Sequence, residues 1–323
     1  MAQPMPGYMA IDENYLLGKD RSICFDIFAR QEINGKSIPI LLISKDTKTS
    51  SAHPILFGSE NKFGQLFIKD TAVNDFQNFM EYSLSMLIED PAMPVKKKSK
   101  IVYKCAKNVL KDVFADPRSG ENLQRTQNIT NNMVDFILAN DRSILTLLSL
   151  GTHDYYTFSH CVNVAVFGLG LWIMINKGDE FDLRDFALGC ILHDVGKTLT
   201  PQKILKKPGP LNGDEFDEIK KHPLHGYELM KDTLPPIALD VILHHHEKYC
   251  GTGYPHQIKG DKISNHAKIA AIADVYDALT TNRPYGTARP PFEAVLTMKE
   301  EMVGHFEQEK FLEFIRFLGG GKP

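Results

Sequence analysis

Apolar and polar positions follow two different rhythms along this chain. Up to about residue 70 the apolar residues fall in short runs. These are Ile23-Cys24-Phe25-Asp26-Ile27-Phe28, then Ile38-Pro39-Ile40-Leu41-Leu42-Ile43, then Gly64-Gln65-Leu66-Phe67-Ile68. Runs of this length, bounded by turn-forming residues, predict strands. Asn34-Gly35 between the first two predicts a hairpin, with a loop longer than two residues because polar positions flank it. From Asn74 to Glu89 the spacing becomes helical, with Phe76, Phe79, Met80, Leu84, Leu87 and Ile88 on one side.

The stretch from Asp90 to Lys100, with Pro91, Pro94 and Lys96-Lys97-Lys98, reads as a solvated linker. Beyond it the pattern is helical almost throughout. Val102, Ala106, Val109, Leu110 and Val113 keep helical spacing as far as Asp116-Pro117, and Met133, Val134, Ile137 and Leu138 continue it. Ile144 to Leu150 is a short apolar stretch, and His160 to Asn176 is apolar nearly all round, the signature of a central helix. Its longest apolar run, Val164 to Ile175, falls short of the roughly 20 residues that span a bilayer. Asp182 stands where it can cap the helix of Phe186 to Leu192, and Asn212 with Glu215 resembles a capping box. The expected architecture is mainly α: an all-helical bundle over residues 96–323, preceded by a small strand-rich or α/β domain over residues 1–95.

Composition narrows the function classes. The chain has 323 residues, enough for two domains, and its 43% hydrophobic and 24% charged residues are those of a globular protein. A formal charge of -3 gives no overall attraction to a nucleic acid polymer or an anionic membrane, so an anionic substrate must be drawn by local charge. The cysteines Cys24, Cys105, Cys161, Cys190 and Cys250 are scattered, odd in number and form no CxxC, which fits a reducing cytoplasm. The N-terminus has neither the basic start nor the apolar run of a signal peptide, and no membrane insertion is expected.

The chemistry is concentrated in the helical region, where eleven of the twelve histidines lie. His193-Asp194 follows an apolar run, so both side chains enter a packed interior where a buried carboxylate needs a partner. Alone, the pair reads more readily as a hydrogen-bonded His-Asp than as a metal ligand pair. Lys197, three and four residues further on, reads as a surface lysine or, beside a metal site, as a phosphate clamp. His244-His245-His246 point about 100° apart on a helix, so at most two meet one site. His222 is a ligand candidate or a helix-terminal histidine. Asp274 and Asp277, at i and i+3 on an apolar helix, repel unless a cation or donor lies between them; one as ligand and one as support to ligands or Arg283 satisfies both. Imidazole and carboxylate donors suit zinc, iron or manganese, and the set points to a metal-dependent hydrolase.

In order, the blocks are His193-Asp194-Val195-Gly196-Lys197, Lys207-Pro208-Gly209-Pro210-Leu211, Lys221-His222-Pro223, His245-His246-Glu247, Gly251-Thr252-Gly253-Tyr254-Pro255, Ile272 to Leu279 and Arg283-Pro284-Tyr285. This series resembles the HD-GYP family of cyclic di-GMP phosphodiesterases, within the HD phosphohydrolase superfamily, over about residues 100–310. The resemblance implies two divalent ions, iron or manganese. His160, His193, Asp194 and Asp274 would hold one, and Asp194, bridging, with His222, His245 and His246 the other. Lys197 and Arg283 would hold the phosphate, with Asp277, Glu247 and Tyr254 in support. The implied reaction is in-line attack of a metal-activated hydroxide on phosphorus, giving linear pGpG and then, with further cleavage, GMP. The substrate partner is a cyclic dinucleotide, and the N-terminal domain is expected to sense a signal or bind a protein partner.

The chain departs from the family pattern at several positions. Tyr156 stands where some members carry a metal-binding Glu, which favours two metals over three. Cys250 replaces a usual Asp, Gly286 a usual Lys, Gln257 a usual Gly and Ser264 a usual Pro. These changes keep an alternative open, a degenerate member that binds metal and nucleotide as a receptor or interaction module. An HD phosphohydrolase acting on another cyclic dinucleotide or phosphoester is a further reading.

Overall fold

The computed structural model describes residues 5–16, 20–33, 36–57, 64–140, 142–151, 157–176, 182–282 and 287–320. Asn34-Gly35, Tyr156, Arg283-Pro284-Tyr285 and Gly286 lie outside the described residues. The chain divides into two compact units, Met1–Cys105 and Ala106–Pro323.

The N-terminal unit holds an antiparallel sheet of β1 (Tyr8–Ile11), β2 (Ile27–Ile33), β3 (Lys36–Ile43) and β4 (Leu66–Lys69), in the order β1-β4-β2-β3. The first expected strand is displaced. Ile23 is fully buried but lies outside the sheet, and β2 starts at Ile27 and continues through the polar Arg30, Gln31 and Glu32. Those residues read as loop in the sequence, yet the register runs to Ile33 opposite Lys36, so only two residues separate the strands. Arg30 and Glu32 fit a strand because side chains two apart share its solvent face, where they pair at 2.5 Å. Met5, Phe28 and Phe67 form a core cluster with Tyr8 against it, and Phe25 meets Phe76 and Phe79 edge-on. Helix α1 (Thr49–Phe57), which has Pro54 inside it, has no counterpart in the sequence reading. Helix α2 (Val73–Glu89) buries the apolar stripe read from its periodicity.

The expected linker is mostly helix. Asp90 to Pro94 turn the chain, and α3 (Val95–Ala115) begins at once, carrying Lys96-Lys97-Lys98 in its opening turns. Lys96 and Lys97 are exposed and Lys98 is half-buried, donating to the Ile88 carbonyl, while Ile101, Val102, Cys105, Ala106, Val109, Leu110 and Val113 are buried, so the run opens an amphipathic helix.

The C-terminal unit is helical: α4 (Gly120–Leu138), α5 (Ser143–Gly151), α6 (Thr157–Asn176), α7 (Leu183–Leu192), α8 (Gln202–Leu205), α9 (Gly213–Ile219), α10 (His222–Met230), α11 (Pro236–His244), α12 (Asn265–Thr280), α13 (Pro291–Glu300) and α14 (Gln308–Leu318). At its centre, α6 packs against α5, α7, α12 and α14, and α11 packs against α7, α10 and α12. As a helix, α6 is longer than its apolar run suggested. By length and composition it passes for a membrane span, but 83% of that window is buried within the fold. The capping box at Asn212 is formed, with both bonds at 2.8 Å. Asp182 is the N-cap of α7 by position but makes no side-chain cap bond; its Oδ2 instead lies 3.9 Å from His266 Nε2.

Candidate metal centre

Five elements converge on one buried point. His160 comes from the first turn of α6, His193 and Asp194 from the end of α7, His222 from the start of α10, His245 and His246 from the end of α11, and Asp274 from the middle of α12. After Asp194 a 3-10 turn, Val195–Leu199, is pressed against α10. Glycine is required there, because a Cβ on Gly196 would collide with the carbonyl of His222 and the backbone N of Gly226. That close approach sets Asp194 Oδ1 3.4 Å from His222 Nε2.

Two groups of donor atoms result, sharing Asp194. One holds Asp194, His222, His245 and His246, the other His160, His193 and Asp194, and within each group the donor atoms lie within 4.8 Å of one another. Asp274 adjoins both, with Oδ1 3.0 Å from His160 Nε2 and 3.9 Å from His193 Nε2, and Oδ2 3.6 Å from His246 Nδ1. His193, Asp194, His222 and His245 are each at most 1% exposed.

Ring tautomers decide what this cavity can hold. The Nδ1 of His193 contacts the Cys190 carbonyl at 2.8 Å, that of His222 the Ile219 carbonyl at 2.8 Å, and that of His245 the Val241 and Ile242 carbonyls at 3.1 and 3.0 Å. A carbonyl only accepts, so each Nδ1 carries the proton and each Nε2 presents a lone pair to the centre. Two of those lone pairs, on His222 and His245, face each other at 3.2 Å. Among the described residues, His193 Nε2 and Asp194 Oδ1 are buried with no hydrogen-bond partner. Buried acceptors that converge without donors are costly, and a cation resolves the cost where a hydrogen bond cannot. The donor set therefore fits divalent metal ions.

Protonation equilibria agree with this reading. Burial holds His193, His222 and His245 below the usual histidine value, His222 and His245 far below, and takes His246 down to about 3. His160 is the exception: burial opposes its charge, but Asp274 and Asp277 outweigh burial and push it up to about 9. Burial likewise opposes ionisation of Asp194 and Asp274, yet Lys197 and the histidines around the first, and the histidines around the second, hold both well below the usual carboxylate range. In the metal-free chain the site is thus two ionised carboxylates among four neutral imidazoles and a protonated His160, with Lys197 Nζ 2.6 Å from Asp194 Oδ2.

The supporting residues also have definite places. Asp277 accepts from His160 Nδ1 at 2.6 Å, so it acts behind a candidate ligand. Tyr254 lies against His246 with ring centroids 4.7 Å apart, and Glu247 accepts the His256 N–H at 2.7 Å, fastening the turn of residues 251–255 to the end of α11. Of the triple histidine, His244 turns away to Asp240 and His256, and only His245 and His246 reach the centre. Gln257 holds a left-handed backbone (φ 55°), where the resemblance has a glycine, and Ser264 caps α12 through Ala267 N. The sequence reading missed Asn163, which donates to Asp277 Oδ1 at 2.8 Å. Its signal was available: an amide inside the run Val162 to Val166, one helical turn beyond His160.

Comparison with known proteins adds kinship to this geometry. Residues 174–309 match the HD domain family. A cyclic di-GMP phosphodiesterase of Pseudomonas aeruginosa, PA4108, is 34% identical over 218 residues, covering 66% of this chain and 52% of that protein. The 3'3'-cGAMP-specific phosphodiesterase 3 of Vibrio cholerae is 35% identical over 159 residues, 48% of this chain and 34% of that protein. The chain thus spans about half the length of the first relative and a third of the second. In fold it is similar to Bd1817, described as a HDG"Y"P protein from Bdellovibrio bacteriovorus, with a TM-score of 0.68 and 20% identity over 97% of this chain and 100% of that one.

Proposed function

Because residues 174–309 belong to the HD domain family, we propose that this chain is a metal-dependent phosphodiesterase acting on a cyclic dinucleotide. The observation that carries the proposal is the pair of buried donor groups sharing Asp194, in which His193 Nε2 and Asp194 Oδ1 have no hydrogen-bond partner among the described residues. His160, His193, Asp194 and Asp274 would hold one ion; Asp194, His222, His245 and His246 would hold the other. Nitrogen and oxygen donors suit iron and manganese alike. Two such ions would supply a water activated near neutral pH and neutralise charge on the phosphoryl group.

The chain's own residues complete the chemistry. Asp194 is ionised and central, able to bridge through its two oxygens. Lys197 balances Asp194 at 2.6 Å; with a cation sharing that balance, its ammonium would be available to donate to a phosphoryl oxygen, where charge grows in the transition state. Tyr254 covers His246 and narrows access of water on that side. Arg283 joins Lys197 on the strength of the motif alone.

Within the cyclic dinucleotides we assign cyclic di-GMP as substrate and linear pGpG as product, on the motif order and the P. aeruginosa relative. The test is a panel of cyclic di-GMP, 3'3'-cGAMP and cyclic di-AMP, incubated with protein loaded with ferrous iron or manganese, with products separated by chromatography. Preferential conversion of cyclic di-GMP to pGpG supports the assignment. Preference for 3'3'-cGAMP corrects the substrate, and tight binding of all three without turnover replaces the enzyme by a receptor.

A further inference from the structure

The histidines of the centre are oriented in two different ways. His193, His222 and His245 donate from Nδ1 to backbone carbonyls three or four residues earlier in the chain, those of α7, of the last residue of α9 and of α11 respectively. Their tautomers are fixed by the helical backbone. His160, near the start of α6, instead directs its Nδ1 to the carboxylate of Asp277 on α12 at 2.6 Å. That carboxylate is itself held from two sides. Asn163 Nδ2 donates to Oδ1 at 2.8 Å, and Thr281 Oγ1 donates to the same oxygen at 3.3 Å. Asn163, Asp277 and Thr281 are all buried. The amide is confined in turn by the end of α5, where a Cβ on Gly151 would come within 2.7 Å of Asn163 Cγ.

We infer that Asn163 is a positioning residue for one metal position only: through Asp277 it sets the ring orientation and donor strength of His160, and so the affinity of the His160-His193 position, while leaving the His222-His245-His246 position untouched. The inference rests on the metal-centre reading above. The physical reason is directional. A carboxylate free to rotate can follow the imidazole anywhere, whereas one held through its second oxygen presents Oδ2 along one line. Outer donors of this kind are worth about 10- to 100-fold in metal affinity. Asn163 is well suited to the part because it is a turn from His160 on the same helix and donates a hydrogen bond without adding charge.

The experiment uses the full chain stripped of metal and titrated with manganese, each equivalent followed by calorimetry and by the manganese electron paramagnetic resonance signal. The proteins are wild type, Asn163→Leu, Asn163→Asp and Gly151→Ala, with thermal unfolding recorded for each. Asn163→Leu keeps the volume and removes the donor; Asn163→Asp keeps the shape and sets a second carboxylate against Asp277; Gly151→Ala displaces the amide without altering it. The expected result is that one of two equivalents weakens 10- to 100-fold in Asn163→Leu, at least as much in Asn163→Asp, and less in Gly151→Ala. The other equivalent should stay within threefold of wild type. Equal weakening of both equivalents, in step with a lower Tm, would reduce Asn163 to a general packing residue and overturn the inference. Two unchanged equivalents in Asn163→Leu would overturn it as well, with the metal-centre reading intact. A wild type that takes up no manganese or iron would remove both.

Discussion

Gly196→Ala perturbs the close approach of the 3-10 turn to α10 that sets Asp194 beside His222. The added Cβ meets backbone, the His222 carbonyl and Gly226 N, so no side-chain rotation relieves it and the 3-10 turn must move away from α10. Overpacking of this kind costs about 1–3 kcal/mol, and a purely backbone collision belongs at the upper end. Alanine returns about 0.4–1 kcal/mol by narrowing the unfolded ensemble. The net loss is about 2 kcal/mol, which for a unit of this size lowers Tm by roughly 4–8 °C. The displacement also widens the 3.4 Å gap between Asp194 Oδ1 and His222 Nε2, so metal affinity at the His222 position should fall with it. Thermal unfolding of metal-free protein, followed by metal titration, reads both effects. A Tm within 1 °C of wild type together with unchanged metal affinity would refute the reasoning.

Two further predictions concern charge at the centre. In the metal-free folded chain the neutral His246 ring, at about 3 against 6.5 when exposed, takes up no proton at pH 5.5, whereas the unfolded chain does; this one group costs about 1.4 kcal/mol at that pH relative to neutral. His193, His222 and His245 act in the same direction, while the stability due to His160 is fully present below 6.5 and is lost as the pH rises toward 9. Metal-free protein should therefore melt lower at pH 5.5 than at pH 7, and an equal or higher Tm at pH 5.5 would contradict the neutral-imidazole assignment. Lys197→Met should leave two metal equivalents bound while lowering kcat/KM about 100- to 1000-fold, as for loss of a transition-state donor. Loss of metal instead would make Lys197 part of the ion-holding framework.

The candidate centre was more legible in the sequence than the N-terminal fold, for a physical reason. Ligand chemistry is restricted to a few side-chain types, so His193, Asp194, His222, His245, His246 and Asp274 stood out from their order along the chain, His160 came only from the family resemblance, and the structure brings all seven together. Asp274 and Asp277 take different places, the first beside His160, His193 and His246 and the second against His160 Nδ1. Tautomer control was invisible, because the carbonyls of Cys190, Ile219, Val241 and Ile242 belong to a backbone that carries no sequence signal. Asn163 was passed over as one polar residue in an apolar run. In the N-terminal unit, the apolar run at Ile23 was taken for strand because burial and strand leave the same mark, and the lysine run was taken for linker because its apolar partners lie three to four residues further along α3.

Asp194, shared by the two donor groups, is the residue on which the proposed two-metal centre depends. The most direct test is anaerobic reconstitution of wild type and Asp194→Ala with ferrous iron or manganese, counting bound metal and following cyclic di-GMP on the same samples. The account predicts two equivalents and pGpG formation in wild type, and at most one equivalent with no turnover in Asp194→Ala. Two equivalents retained with full turnover in the variant would contradict it.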